Sequence, residues 1–436
     1  MRWKTERMYF AAERLFVVAA IMYLTGAIFP VLKNPSHNFD VASASDPLAF
    51  ALQFSVYAIA ALFMIPIRGS LLEAYKKNPV LCCLLALILI SFVWSPASLF
   101  TLRKSLVFMA TTAFGFYFAT RFKVEEQIRL VAYALGACAV LSVVFIVALP
   151  RFGVDLLQYH GAWRGVFYHK NTFGTYMALA MVSLLCLRTR TRAGQLARFV
   201  GVALSIVLVL GSQAKGSYVV MFALILLMFL YRLLHLYWKR LIPAATIALV
   251  LLGIGGIYVA SNLPAVLAVL SKDASFSGRI PLWTTVLTLS ESKRLLGFGF
   301  GGFWATNTYA VYSLVGWNAS KAHNGFIDLL LDLGWVGVII YAMNTVTAIF
   351  RSMKFVAREK TLESQWPLLV LSLILLYNLV ESDLLVPNSF LWAAYVVVTV
   401  SMQRIAGESR VALRNELPGD SATNEFPGSE FEPCPQ

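Results

Sequence analysis

Charge is scarce in this chain. Of its 436 residues only 13% are Asp, Glu, Lys or Arg, while 59% are hydrophobic and the mean hydropathy is +0.72. No polar stretch before the C-terminus is long enough for a soluble domain, which excludes an ordinary multidomain globular protein. Cysteine is thin as well. Cys82, Cys83, Cys138 and Cys186 lie in or beside apolar runs and Cys434 lies near the end, so the polar connections have neither a disulfide framework nor a zinc site. Acidic residues number 22 against 36 basic ones, for a net charge of +14. The basic residues come in small groups between apolar runs rather than on one soluble face, which argues against a nucleic-acid partner. An internal repeat is lacking too, and no matched pair of interrupted helices suggests the inverted halves of a transporter.

What the chain does have is apolar runs of bilayer length, about 17–25 residues each. They fall near 13–32, 48–67, 79–95, 104–120, 128–150, 171–187, 197–212, 217–236, 241–262, 324–350, 366–381 and 388–403. This pattern predicts an all-α, polytopic membrane bundle of about twelve helices over residues 1–403. The first run is too long for a cleaved signal and reads as a retained helix. An even count puts both termini on one side. With the N-terminus inside, 24 of the 36 basic residues fall in cytoplasmic segments, as the positive-inside rule requires. Two segments stand apart. Residues 263–322 form a long loop between the ninth and tenth spans, on the outer face. Residues 404–436 read as a disordered cytoplasmic tail.

Ionisable groups are rare within the spans and sit mostly near helix ends, with Asp328 and Asp332 in the first turns of the tenth. An ion-coupled transporter needs carboxylates or histidines near the midplane, so their scarcity counts against transport. The outer face is richer. Tyr159 to Asn171 holds His160, Arg164, His169 and Lys170 and ends where a helix begins. Free N–H groups and a partial positive charge make such a start a plausible anion site; an interfacial aromatic and basic belt explains the same residues. Lys215 sits between small residues in the seventh outer turn, where snorkelling to the interface is the simpler account. Pro281 at a first helical position puts Arg279 just before a helix start.

His323 ends the long loop at the first turn of the tenth span. A helix dipole there disfavours a cationic imidazole, and a neutral one can take a proton from a hydroxyl; a capping or belt histidine is the alternative. The cluster from Gly297 to Gly302 is no dinucleotide fingerprint, because no strand precedes it, and close turns against the bundle suit it better. Glu381 and Asp383 are the nearest thing to a metal-binding pair, but other convergent ligands are lacking.

Several of these stretches come in a recognisable order: Trp94-Ser95-Pro96 with Thr101-Leu102-Arg103, Trp163-Arg164-Gly165-Val166-Phe167 with His169-Lys170-Asn171, Ser212-Gln213-Ala214-Lys215, Ser277-Gly278-Arg279, Gly297-Phe298-Gly299, and Ala322-His323-Asn324-Gly325-Phe326. In them the chain resembles the O-antigen ligase and polymerase superfamily of bacterial membrane glycosyltransferases, and most of all the branch that polymerises exopolysaccharide repeats. The resemblance implies a helical bundle of the GT-C kind in the bacterial inner membrane, with both termini cytoplasmic. It implies transfer of glycan from a polyprenyl-diphosphate-linked oligosaccharide, such as an undecaprenyl diphosphate, to an acceptor sugar hydroxyl on the periplasmic face. No metal or other cofactor is implied. Membrane lipids and other polysaccharide export proteins are the further partners.

The resemblance also assigns roles. Arg164 and Arg279 bind the donor diphosphate, and His323 activates the acceptor. Lys215 stands where relatives often have arginine, which keeps the charge but loses the bidentate fork. Lys170 helps hold the diphosphate, while His169 and Asn324 orient substrate. Three functions follow for comparison: a repeat-unit polymerase, a ligase that delivers finished glycan to lipid A core or protein, and a flippase or transporter of lipid-linked sugar.

Overall fold

A computed structural model describes residues 2–27, 47–156, 159–232 and 279–416. Its helices in chain order are α1 (Arg2–Leu24), α2 (Pro47–Met64), α3 (Arg68–Lys77), α4 (Pro79–Ile90), α5 (Ser98–Arg121) and α6 (Val124–Ala148). A single helical turn, Pro150–Gly153, then leads into a two-stranded hairpin of β1 (Val154–Asp155) and β2 (Ala162–Trp163), antiparallel, with Val154 opposite Trp163. After it come α7 (Lys170–Cys186), α8 (Arg192–Gly211), α9 (Lys215–Arg232), α10 (Arg279–Leu289), α11 (Gly302–Val315), α12 (Gly325–Glu359), α13 (Leu362–Asn378) and α14 (Phe390–Glu416).

Among the described residues six helices are long and apolar enough to cross a membrane. The expected count of twelve is therefore not reached there. The runs near 13–32, 79–95, 104–120, 171–187 and 366–381 are helical where described but fall short of that measure. Two of them, α7 and α13, have 17 residues each, a length of about 25 Å. The run near 241–262 lies outside the described residues. One further expectation changes. The polar segment begins as helix, because α14 continues to Glu416; residues 417–436 lie outside the described residues. Within the long connection a helix does start beside Pro281, and α10 and α11 pack into a cap with its own core of Leu282, Val286, Phe298, Phe303, Val311 and Ala319. Leu331 of α12 completes that core. Amphipathic sequence in a long connection buries its apolar side wherever a partner is available.

At the centre of the bundle α7 is buried along nearly its whole length and packs against α6, α8 and α13. Helices α5, α12 and α13 in turn surround α14. Several polar groups inside this packing are paired, as a medium without water favours, while Gln365 Oε1 and Thr399 Oγ1 are buried without a hydrogen bond. The Trp392 indole donates to Thr112 Oγ1 (2.8 Å), Trp366 donates to Ser183 Oγ (3.1 Å), and Asn344 Nδ2 donates to the Tyr395 hydroxyl (2.7 Å). At one end Glu13 of α1 is fixed by Arg121, through both Nε and Nη2 at 2.8 Å, and by the Tyr117 hydroxyl.

One spanning helix is broken. At Gly334 the backbone of α12 turns to φ 63°, ψ −166°, a region open in practice only to glycine. The freed groups are taken up by the turns that follow α10. Trp335 N donates to Arg294 O, Val336 N to Leu295 O, and Phe298 N to Leu331 O. The cap backbone thus runs through the break, and Gly297 is needed for its closeness: a Cβ there would lie 2.6 Å from the Asp332 carbonyl. This accounts for the glycine cluster as close turns against the bundle. A Cβ on Gly334 itself would strike the Leu295 carbonyl. Gly334→Ala should accordingly cost about 3 kcal/mol or more and lower the apparent thermal midpoint of the detergent-solubilised protein. Gly136, in the middle of α6, has open space around a built Cβ, and Gly136→Ala should leave the midpoint unchanged or raise it.

Candidate active site

Four helices, α7, α9, α10 and α12, begin at the same end of the bundle, and their first residues converge on Glu381. This carboxylate stands three residues past α13, in the connection to α14, and is 6% exposed. Asn171 in the first turn of α7 donates from Nδ2 to Glu381 Oε1 at 2.7 Å. Arg279, the first residue of α10, lies with Nη2 3.4 Å from the same oxygen and donates from Nη1 to Val380 O. His323 Nδ1 is 3.3 Å from Glu381 Oε2, and Lys321 Nζ is 4.0 Å from it. Gly325 N, at the start of α12, donates to the Glu381 backbone carbonyl. Helix α9 joins through Ser217 Oγ, which donates to Asn171 O. Burial alone would raise the Glu381 carboxyl. The His323 hydrogen bond and the charges of Lys321, His323 and Arg279 outweigh it and bring the group down to about 2. Glu381 is therefore an anion at any physiological pH.

His323 is held from both sides. Its backbone is left-handed, with φ 51°. Before it, Ala322 N donates to both carboxylate oxygens of Asp328 (3.1 and 3.2 Å), and Ala322 O accepts from the Trp283 indole. After it, Asn324 N donates to Ser382 Oγ (3.0 Å), beside Glu381. The expected place of His323 in a first helical turn is corrected here. Asn324 is the cap of α12, its Oδ1 accepting from Phe326 N and Ile327 N, and His323 precedes that cap. With Glu381 on Nδ1, the tautomer that donates to the carboxylate leaves Nε2 as the free acceptor.

The other expected residues divide. Arg279 is in the cluster. Asn324 caps α12 through Oδ1, and its Nδ2 lies 3.4 Å from Leu379 O. His169 caps α7, its Nδ1 accepting from Asn171 N. Burial lowers the pKa of His169, the Glu381 charge opposes this, and the Lys321 and Lys170 charges add to it; a neutral ring fits an Nδ1 that accepts. Lys170 lies with Nζ 3.8 Å above the centre of the Tyr159 ring, within electrostatic reach of Asp155 and of Lys215, which is exposed at the start of α9. Arg164 is not drawn into the Glu381 cluster by any recorded contact. Its guanidinium donates to the carbonyls of Phe152 and Arg151, where it closes the hairpin onto the turn before it.

Two members were missed from the sequence. Glu381 read as half of a metal-binding pair, and Lys321 as the end of a loop. The only sequence signal for Glu381 was a carboxylate at a span end, because its partner His323 lies 58 residues away. Nearby Asp383 is half-buried, and desolvation of its carboxyl pushes it up to about 7 despite a Ser389 hydrogen bond and the Lys321 charge. A carboxyl with a raised pKa stabilises the fold below its unfolded value and loses that contribution as pH rises through the folded value. Asp383→Asn should therefore raise the thermal midpoint at pH 8, with the gain vanishing near pH 4, as a pH series of thermal melts would show.

Two comparisons bear on this arrangement. A family model described as O-antigen ligase matches residues 199–342, a span that includes Lys215, Arg279, Lys321 and His323. Over 322 residues, 68% of this chain and 71% of the relative, the sequence is 25% identical to the exopolysaccharide production protein ExoQ of Rhizobium meliloti (strain 1021). With the motifs already quoted, these matches make the chain similar to the O-antigen ligase and polymerase superfamily over part of its length.

Proposed function

We propose that the chain is a glycan polymerase of the bacterial inner membrane, with both termini cytoplasmic. It extends a polysaccharide by transferring glycan from a polyprenyl-diphosphate-linked donor to a hydroxyl of an acceptor sugar on the periplasmic face. The observation that carries this reading is the His323–Glu381 pair set among cations and helix starts. Glu381 holds the imidazole through Nδ1, so that Nε2 takes the proton of the acceptor hydroxyl. The acceptor oxygen attacks the anomeric carbon from the face opposite the diphosphate, with inversion. The bond from that carbon to the diphosphate oxygen breaks, and its electron pair leaves on the diphosphate.

Charge then grows on the leaving group, and fixed positive groups stabilise it where water is scarce. Arg279 and Lys321 are nearest the pair, and Lys170 and Lys215 extend the positive field along the same end of the bundle, with Arg164 at its hairpin edge. The N-termini of α7, α9, α10 and α12 add their partial charges. Each charge-assisted hydrogen bond is worth about 1.5–3 kcal/mol, so a few suffice. The donor arrives activated, and these cations supply the charge that a metal would bring.

A ligase that delivers glycan to lipid A core uses the same site, and the description of the matching family favours it as the second reading. Purified protein given lipid-diphosphate oligosaccharide should produce longer lipid-linked chains. Diphosphate lipid released only when core acceptor is added would make it a ligase, and lipid moved between leaflets without product would discard the enzyme. His323→Ala and Glu381→Gln should each stay in the membrane and lose about 10²–10⁴ in rate; near-normal product from His323→Ala removes it as the base.

A further inference from the structure

Helix α11 ends at Gly316, left-handed with φ 84°, and the turn lays Trp317 against the core of the outer cap. The Trp317 ring centre is 6.0 Å from that of His323, with the planes 38° apart. Trp317 is half-buried, and His323 keeps 26% of its side chain exposed. Glu381 occupies Nδ1 of His323, so a hydroxyl must meet Nε2, within about 2.6–3.2 Å. A pyranose is wider than that reach, and its body has to rest on whatever borders the imidazole. On the Glu381 side stand Arg279 and Lys321. The aromatic neighbour is Trp317. An aromatic face carries negative charge density and attracts the C–H groups on the apolar face of a sugar, while leaving the hydroxyls at the rim free.

We propose that Trp317 is the platform of an acceptor subsite: it stacks on the pyranose whose hydroxyl His323 deprotonates, and it favours sugars with an uninterrupted face of C–H groups. This rests on the glycosyl-transfer reading above. Indole stacking fixes the distance of the hydroxyl from Nε2 without touching the reacting atoms, so its loss weakens the acceptor and spares the donor.

The test uses the full-length protein. The donor is the lipid-diphosphate repeat unit extracted from the strain that makes the polymer, and the acceptor is the same repeat freed of its lipid. Trp317→Leu keeps an apolar side chain in the cap core but removes the ring face; Trp317→Phe keeps a ring. The Leu variant should raise the acceptor KM about ten-fold, equivalent to ~1.4 kcal/mol, with donor KM and pH profile unmoved, and the Phe variant should recover most of the loss. If Leu lowers the thermal midpoint, Trp317→Met replaces it and carries the same expectation. Equal rises in both KM values, a moved pH profile with acceptor KM unchanged, or a Leu variant indistinguishable from wild type would each overturn the platform. Absence of turnover by the wild type sinks the transfer reading itself, and the platform with it.

Discussion

A carboxylate buried at the end of a helical bundle must be answered by donors from every side, because an unpaired buried charge costs several kcal/mol. Glu381 is answered by Asn171 of α7, Arg279 of α10, and Lys321 and His323 ahead of α12, while its own backbone carbonyl receives Gly325 N. Asn171, Arg279 and the stretch from Lys321 to Gly325 come from three separate parts of the chain and meet at this residue. The mutual register of the helix starts, and hence the direction in which His323 presents its free nitrogen, depends on that one side chain. The left-handed backbone of His323 persists for the same reason: the Asp328 and Ser382 contacts on either side leave it no other course.

The interior follows a related logic. Apolar packing brings helices together in lipid but discriminates poorly between registers. The pairs Trp392 with Thr112, Trp366 with Ser183, and Tyr395 with Asn344 each have one good alignment. They hold α14 to α5, α13 to α7, and α14 to α12, which supports the helices that open onto the site.

How much of this was legible in the sequence depended on the range of the interaction. Apolar runs are a local property, and those that fall on described residues lie on helices. The glycine cluster was read correctly as close turns because Gly297 and its neighbours have no other good use. Arg279 and His323 stood out because each lies beside a helix start. Capping is visible only with the helix boundary in hand, so Asn324 and His169 seemed free to orient substrate when their acceptor atoms were already spent. Arg164 was singled out by its motif, and the fold adds that its guanidinium closes a hairpin. Glu381 and Lys321 could not be found from pattern alone, since a lone carboxylate gains meaning only when the fold brings cations to it.

The break in α12 has a mechanical side. Three backbone hydrogen bonds cross between the cap and the helix at Gly334, so the cap is sewn into α12 rather than laid over it. A flap held by side chains can swing on a hinge. A flap held by main-chain bonds in a place short of water cannot lift without breaking them. The cap is in this sense part of the wall, and it can move only together with the helix it is bonded to.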